Sequence, residues 1–387
     1  MPTDTHADLL ARQPVFDAHV DSLQRQLDLG HDLGRRTRGH LDLVRGKQGG
    51  LGSVVLVNWV DPKHIAAGPG GARRRTRALL AQFHELAAAH PDQIAWAGNG
   101  ALLDAAHASG RIAGIPGIEG GHSIEGTLED LDWYFEHGVR VLTLVWNNHL
   151  DWIRSCQPGA GPGIPEGLSE FGKSVVRRMN ELGMVIDLSH SGEKSIADAL
   201  ATTTKPVIAS HSGCKAIHGH QRNLTDDQLR AIAANGGVVG IVFCTAFLKD
   251  EAQKEDARLR ESAEYKAIAG PNDTDVFLRQ GEWLQEHATP LPMEVVVDHI
   301  VHAARVAGID HVGLGSDFDG IGRTPEGLED AGCYGRIAER LLERGFATAD
   351  VVKVLGGNME RVFRAVTGPG TAAHRARLAP LARVGSA

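Results

Sequence analysis

Eight short apolar runs, each followed by a helix-like segment, constrain the fold of this chain more than any other feature. The runs are rich in β-branched residues and nearly continuous in apolar character, as parallel strands covered on both faces are. They occupy residues 15–21, 53–60, 112–119, 139–146, 184–190, 206–211, 237–243 and 311–317. Eight alternating strand–helix units predict an α/β fold of the (β/α)8 TIM-barrel type.

The alternative architecture is a doubly wound open sheet. That fold would need fewer strands and a glycine-rich dinucleotide loop, and the sequence contains no GxGxxG motif. The chain exceeds a minimal barrel of about 250 residues, and the excess falls at 61–71, 151–172 and 245–292. We expect the insertions at 151–172 and 245–292, which follow the fourth and seventh predicted strands, at the carboxyl ends of the strands, where substrate-binding loops of barrels lie.

The domain prediction is one hydrolase barrel over residues 1–387, with no clean linker and no internal repeat. Strands are expected from about 15 to 317 and C-terminal helices to about 367. Residues 368–387 are predicted to form a loosely held tail. The segment from Thr225 to Gln228 has the spelling of a capping box, so a helix is predicted to begin there.

Composition excludes several classes of partner. Lys and Arg number 40 against 48 Asp and Glu, a formal net charge of −8, with no sustained basic run, which argues against nucleic acid or an anionic membrane. No 18-residue apolar run and no signal-peptide pattern occur. Four widely spaced cysteines suit a reducing compartment without disulfides. The chain is therefore predicted to be cytoplasmic and to act on a small molecule, with a homodimer left open.

Polar residues that can bind metal lie at the carboxyl ends of five predicted strands. They are His19, Asp21, Glu119, His190, His211 and Asp317. Each one alone could be a turn acid, a capped histidine or a core imidazole. In a barrel, however, the carboxyl ends of the strands converge on one mouth. Together these residues predict a metal site.

The residue types indicate the metal and its number. Three imidazoles with carboxylates suit Zn²⁺, with Mn²⁺ or Co²⁺ as substitutes. Five ligands are too many for one catalytic zinc, which keeps three and an open position. Two Zn²⁺ ions per chain sharing a carboxylate fit better, and Glu119 is the candidate placed to bridge them. Two zinc ions polarise a carbonyl and activate water, so hydrolysis of an amide or ester is predicted.

The chain resembles the membrane (renal) dipeptidase family, zinc metallopeptidases of the amidohydrolase superfamily. The matching segments are FDAHVD, GIEGGHSI, VRVLTL, GMVIDLSHSG, PVIASHS, QRNLTDDQLRAI, HVGLGSDFDG and GGNMERVF. They follow the family order from residue 16 to residue 363. The resemblance implies a dipeptidase that hydrolyses the peptide bond of dipeptides and can accept a D-residue at the C-terminal position.

The resemblance also implies residue roles. His19 and Asp21 would bind one zinc, His190 and His211 would bind the other, and Glu119 would bridge them.

Two further roles come from the same comparison. Asp317 would be the catalytic acid and base, although Asp319 has the same strand parity and spacing alone does not choose between them. Arg222 would bind the terminal carboxylate of the substrate, which a guanidinium can grip with two parallel hydrogen bonds.

The sequence departs from the family at one position. Animal members carry a histidine at the end of the LTLT run, where it stabilises the developing oxyanion, and this chain has Trp146 there. Trp146 is predicted to form an apolar wall for the substrate. His149 is the predicted replacement for the missing donor, and the alternative is that the role is vacant.

This departure keeps two other functions open. One is an amidohydrolase acting on an N-acyl amino acid, a lactone or a cyclic amide. The other is a non-catalytic metal-binding barrel, against which the intact set of ligand-type residues argues.

Overall fold

The computed structural model describes residues 9–10 and 12–368. Its parallel strands form one sheet that closes on itself through pairing of the second strand with the fourth. The strands are β1 Val15–Val20, β2 Leu51–Trp59, β3 Ile94–Trp96, β4 Ile112–Glu119, β5 Val141–Thr143, β6 Val185–Asp187, β7 Ile208–Ser212, β8 Val238–Ile241 and β9 Val312–Leu314. Eight of them form the barrel, so the predicted (β/α)8 architecture is confirmed.

The ninth strand, β3, is absent from the sequence prediction. It pairs with the first half of β4, where Ile94 lies opposite Ile112, whereas β5 pairs with the second half from Gly117 onwards. Three residues between two helices are too few to show the alternation or the length that identifies a strand. β3 therefore extends the sheet alongside the amino-terminal half of β4 and is not one of the eight strands that close the barrel.

Helices separate most of the strands, as the alternation predicts. The α-helices are Leu23–Leu29, Leu43–Gln48, Lys63–Ala66, Gly71–Ala89, Gly100–Ala108, Leu128–Glu136, Glu170–Leu182, Glu193–Thr202, Asp226–Ala234, Thr245–Leu248, Asp250–Arg260, Ala263–Lys266, Asp273–His287, Glu294–Ala307, Gly335–Glu343, Thr348–Val352 and Asn358–Thr367. Short 3₁₀ turns lie at Gly121–Ile124, Ile309–His311 and Ala331–Cys333, and a π-helical turn at Lys353–Gly357. The predicted capping box at Thr225 and Gln228 is present.

The interior of the barrel changes from apolar to polar along the strands. Val141, Val185 and Ile208 belong to one buried cluster with Met359 and Phe363 of the C-terminal helix. Strand residues two apart face the same side of a sheet. Two positions further along the same three strands, the residues are Thr143, Asp187 and Ser210. Their side chains hydrogen-bond to one another, so a polar layer lies directly beneath the barrel mouth.

One segment carries the letters of a phosphate-binding loop without its structure. Residues 167–174 read GLSEFGKS. The helix Glu170–Leu182 begins between the two glycines, with the Ser169 side chain accepting a hydrogen bond from the Gly172 backbone N–H. The loop that would surround a phosphate is therefore already helix.

Three further expectations concern cysteines, membranes and the tail. All four cysteines are free, as predicted. No helix among the described residues is both long and apolar enough to cross a bilayer. The predicted tail falls outside the described residues beyond Gly368.

Candidate metal centre

The barrel mouth brings together all the predicted metal-binding residues. Their ligand atoms lie within 4.8 Å of one another in three overlapping groups, and every member is buried. The groups are His19 with Asp21 and Glu119, Glu119 with His190 and His211, and His19 with His211 and Asp317. One compact cluster therefore gathers residues that are far apart in the sequence.

Glu119, at the end of β4, lies at the centre of this cluster. Its Oε1 is 2.8 Å from His190 Nε2 and 3.4 Å from His211 Nε2. Its Oε2 is 3.6 Å from His19 Nε2. The two carboxylate oxygens thus face two different sets of potential ligands, which is the arrangement that a bridge between two ions requires.

Unpaired polar atoms show that the cluster suits a cation. His19 Nε2 and both carboxylate oxygens of Asp21 are buried with no hydrogen-bond partner among the described residues. His190 Nε2 and His211 Nε2 face each other at 3.1 Å. Buried polar atoms are normally paired, and a metal ion satisfies such lone pairs at once. Imidazole nitrogens with carboxylate oxygens form a donor set that fits zinc.

Two of the imidazoles are ready to act as ligands. Burial, followed by the positive charge of Arg222, lowers the pKa of His190 to about 4. Burial, and to a smaller extent the electrostatic effect of His19, lowers the pKa of His211 well below its usual range. Both rings are therefore neutral at pH 7, the form that binds metal.

Two further residues contact the Nδ1 atoms of the three histidines. The sequence analysis did not identify either of them. Ser210 Oγ is 2.8 Å from His211 Nδ1 and 3.2 Å from His19 Nδ1. Asn147 Oδ1 is 2.9 Å from His190 Nδ1. The available signal for Ser210 was a polar residue inside a buried strand, directly before the predicted ligand His211. Asn147 lies in a loop and carries no such signal.

The structure separates the two aspartates that spacing could not. Both have left-handed backbones, with φ of 63° at Asp317 and 66° at Asp319. Asp319 pairs with Arg25 at 2.8 Å and accepts hydrogen bonds from the Ser22 hydroxyl and, at 2.7 Å, from the His40 backbone N–H. Asp319 is thus held by residues between Ser22 and His40, and of the two aspartates only Asp317 joins the cluster.

Burial raises the pKa of Asp317 well above its usual range, with the Asp21 carboxylate adding to the effect. His190, the other site residue that follows a strand by three positions, also has a left-handed backbone with φ of 67°. Strained backbones of this kind persist where surrounding contacts enforce them, and they are concentrated at functional sites.

A cavity of about 820 Å³ opens onto the cluster. Asp21, Glu119, His190 and Asp317 form part of its lining. Its apolar lining includes Trp59, Trp146, Phe247 and Phe277. The last two belong to the 245–292 insertion, which therefore lies at the barrel mouth, as expected.

Trp146 lines the cavity, with its ring 5.1 Å from that of Trp59 and 6.1 Å from that of His190. His149 is not among the lining residues. Its Nδ1 accepts a hydrogen bond from the Ser155 backbone N–H and lies 3.1 Å from the Ser155 hydroxyl. This placement does not support the prediction that His149 replaces the family histidine.

Arg222 is 4% exposed and does not itself line the cavity. Its guanidinium lies over the ring of Phe247, 5.5 Å from the centroid, and donates a hydrogen bond to the His211 carbonyl. Its Nε has no hydrogen-bond partner among the described residues.

Comparison with known proteins gives one matching family. Residues 3–376 match the model of the membrane dipeptidase family, peptidase family M19. The probable dipeptidase PvdM from Pseudomonas aeruginosa is 26% identical with a TM-score of 0.80, covering 94% of this chain and 97% of that one. A metallopeptidase from Rhodobacter sphaeroides, liganded with a phosphinate mimic of the dipeptide L-Ala-D-Ala, is 26% identical with a TM-score of 0.76, covering 92% and 99%.

Proposed function

Since this chain belongs to the membrane dipeptidase family, we propose that it is a cytoplasmic binuclear zinc dipeptidase that hydrolyses the peptide bond of dipeptides. The observation that carries this proposal is the position of Glu119. Its two oxygens face His19 on one side and the His190–His211 pair on the other.

In the proposed site, His19 and Asp21 would hold one zinc ion, His190 and His211 would hold the second, and Glu119 would contribute to both. When bound, zinc polarises the scissile carbonyl and lowers the pKa of water so that a nucleophile forms near neutral pH. The buried, unpaired oxygens of Asp21 support this assignment.

Asp317 is the proposed acid and base. It lies beside the ligand atoms of His19 and His211, and burial raises its pKa, which favours the protonated form that the carboxyl adopts when it takes up a proton. It takes a proton from the attacking water and passes that proton to the nitrogen of the leaving amine. Such transfers contribute roughly 10²–10⁴ in rate.

Arg222 is the proposed anchor for the terminal carboxylate of the dipeptide. Its guanidinium is buried close to His211, and its Nε lacks a partner. Its guanidinium lies over the ring of Phe247, which lines the cavity, so this side of the cavity is where the substrate carboxylate would approach it. Since a relative is liganded with a mimic of L-Ala-D-Ala, we propose that a D-residue is accepted at the C-terminal position.

A second candidate is an amidohydrolase acting on an N-acyl amino acid, a lactone or a cyclic amide. Trp146 favours it, because an indole at the cavity wall replaces the histidine of the animal enzymes and enlarges the apolar lining.

One experiment separates these functions. Zinc-loaded protein is assayed against L,L- and L,D-dipeptides, N-acyl amino acids, lactones and cyclic amides, and its zinc content is measured. We expect two zinc ions per chain and the highest kcat/KM on dipeptides. A preference for the N-acyl or cyclic substrates would replace the dipeptidase proposal with the second candidate. Inactivity on every class would indicate a non-catalytic barrel.

A further inference from the structure

The hydroxyl of Ser210 contacts both sides of the metal centre. Ser210 lies on β7 and is fully buried. Its Oγ is 2.8 Å from His211 Nδ1, 3.2 Å from His19 Nδ1 and 2.6 Å from Asp187 Oδ2. In the proposed site, these two histidines bind different zinc ions. A single oxygen atom therefore lies behind one ligand of each ion.

Asp187 determines which way the Ser210 hydroxyl points. Asp187 Oδ1 accepts hydrogen bonds from the backbone N–H groups of Ser189 at 3.0 Å and Ser210 at 2.8 Å. Asp187 Oδ2 accepts hydrogen bonds from the hydroxyl groups of Thr143 at 2.5 Å and Ser210 at 2.6 Å. Four donors around one carboxyl group fit an ionised carboxylate, which only accepts. The single hydrogen of the Ser210 hydroxyl is thus used on Asp187.

The remaining lone pairs determine the tautomers of the two rings. A serine hydroxyl has one hydrogen and two lone pairs, so Ser210 Oγ can serve both histidines only as an acceptor. Each ring must then carry a hydrogen on Nδ1, so Nε2 is the nitrogen left to bind a metal ion, and in both rings Nε2 faces Glu119. The hydroxyl of Ser189, at 3.3 Å, is a longer contact that also accepts the backbone N–H of His211 at 3.1 Å.

We propose that Ser210 is a shared positioning residue that fixes the tautomer and the direction of one histidine at each of the two metal sites. Both zinc affinities therefore depend on the same hydroxyl group. The third histidine, His190, is held separately, because its Nδ1 contacts Asn147 Oδ1. This inference rests on the proposed binuclear site and adds the residue that links its halves.

Chelator competition on the zinc-loaded protein tests the proposal, because it measures zinc affinity at each site independently of activity. Partners behind a metal-binding histidine are typically worth about 10–100-fold in affinity. We expect Ser210→Ala to weaken both sites by that factor. Ser210→Thr keeps the hydroxyl and should restore both affinities. Asn147→Ala is the matched control and should weaken only the site that contains His190.

Ser210→Cys keeps nearly the same volume with a weak acceptor, so it tests the proposal even if Ser210→Ala does not fold. Weakening of both sites is expected there as well. A loss confined to one site, or no loss in either variant, would overturn the shared role. Wild-type protein that binds fewer than two zinc ions would overturn it too. If the wild-type protein binds two zinc ions but cleaves no dipeptide, the proposed function fails, whereas the shared positioning role of Ser210 stands.

Discussion

The floor and the wall of the site are built in different ways. The floor consists of Thr143, Asp187 and Ser210, which lie on three neighbouring strands and are joined by buried hydrogen bonds, together with the candidate metal-binding residues above them. The wall consists of Trp59, Trp146, Phe247 and Phe277, which contribute apolar surface to the cavity.

The difference lies in what each region can fix. Hydrogen bonds between adjacent strands fix the positions and orientations of the side chains that would bind metal, as a metal centre requires. Apolar surface sets volume and shape but few directions. Changes to the floor should therefore alter metal content and kcat, whereas changes to the wall should alter KM and substrate preference.

The largest effect is expected from Glu119→Gln. The amide cannot offer two anionic oxygens, so both zinc sites should weaken together and activity should fall to the background rate. Elemental analysis after gel filtration checks the metal content. A variant that retains two tightly held zinc ions would show that Glu119 does not bridge them.

Asp317→Asn and Asp319→Asn form a matched pair within one loop. Asp317→Asn should keep both metals and lose roughly 10²–10⁴ in kcat, because it removes the proton carrier. Asp319→Asn should instead lower the free energy of unfolding by roughly 3–5 kcal/mol, because it leaves the buried Arg25 charge unpaired. Steady-state kinetics and urea unfolding of both variants measure the contrast. The reverse pattern would transfer the acid–base role to Asp319.

Arg222 contacts both His211 of the floor and Phe247 of the wall, and Arg222→Leu tests its role. Loss of a charged hydrogen bond, about 1.5–3 kcal/mol, should raise KM for free dipeptides by about 10–100-fold. Dipeptides with an amidated C-terminus lack the carboxylate and serve as the control. If both substrate types lose affinity equally, Arg222 does not bind the carboxylate.

The smallest effect is expected from His149→Ala, because Ser155 occupies its Nδ1 and the ring is outside the cavity lining. Its kcat should stay within about threefold of wild type, roughly 0.7 kcal/mol in activation free energy. Trp146→Phe, on the wall, should change KM and side-chain preference more than kcat. A sharp fall in kcat for His149→Ala across several dipeptides would restore the role predicted from the sequence.

Much of this architecture could be predicted because it depends on local patterns. Apolar strand runs have a period and a length that can be counted, and the candidate metal-binding residues lie at or just after their carboxyl ends. β3 could not be found in this way, since three residues carry no pattern. The expectation for His149 depended on the path of a loop, which residue spacing does not specify.

The sequence by itself determined the barrel, the strand ends that bear the candidate metal-binding residues, and the residue types at the mouth. These follow from hydrophobic periodicity and from the rule that the carboxyl ends of parallel strands meet. Strand parity did not choose between Asp317, which the family resemblance favours, and Asp319. The tertiary structure decided between them, because it places Asp317 in the cluster and pairs Asp319 with Arg25 of a distant helix. It also decided that Ser210 lies between two histidines, since that contact joins β1 to β7 across the barrel and has no signature along the chain.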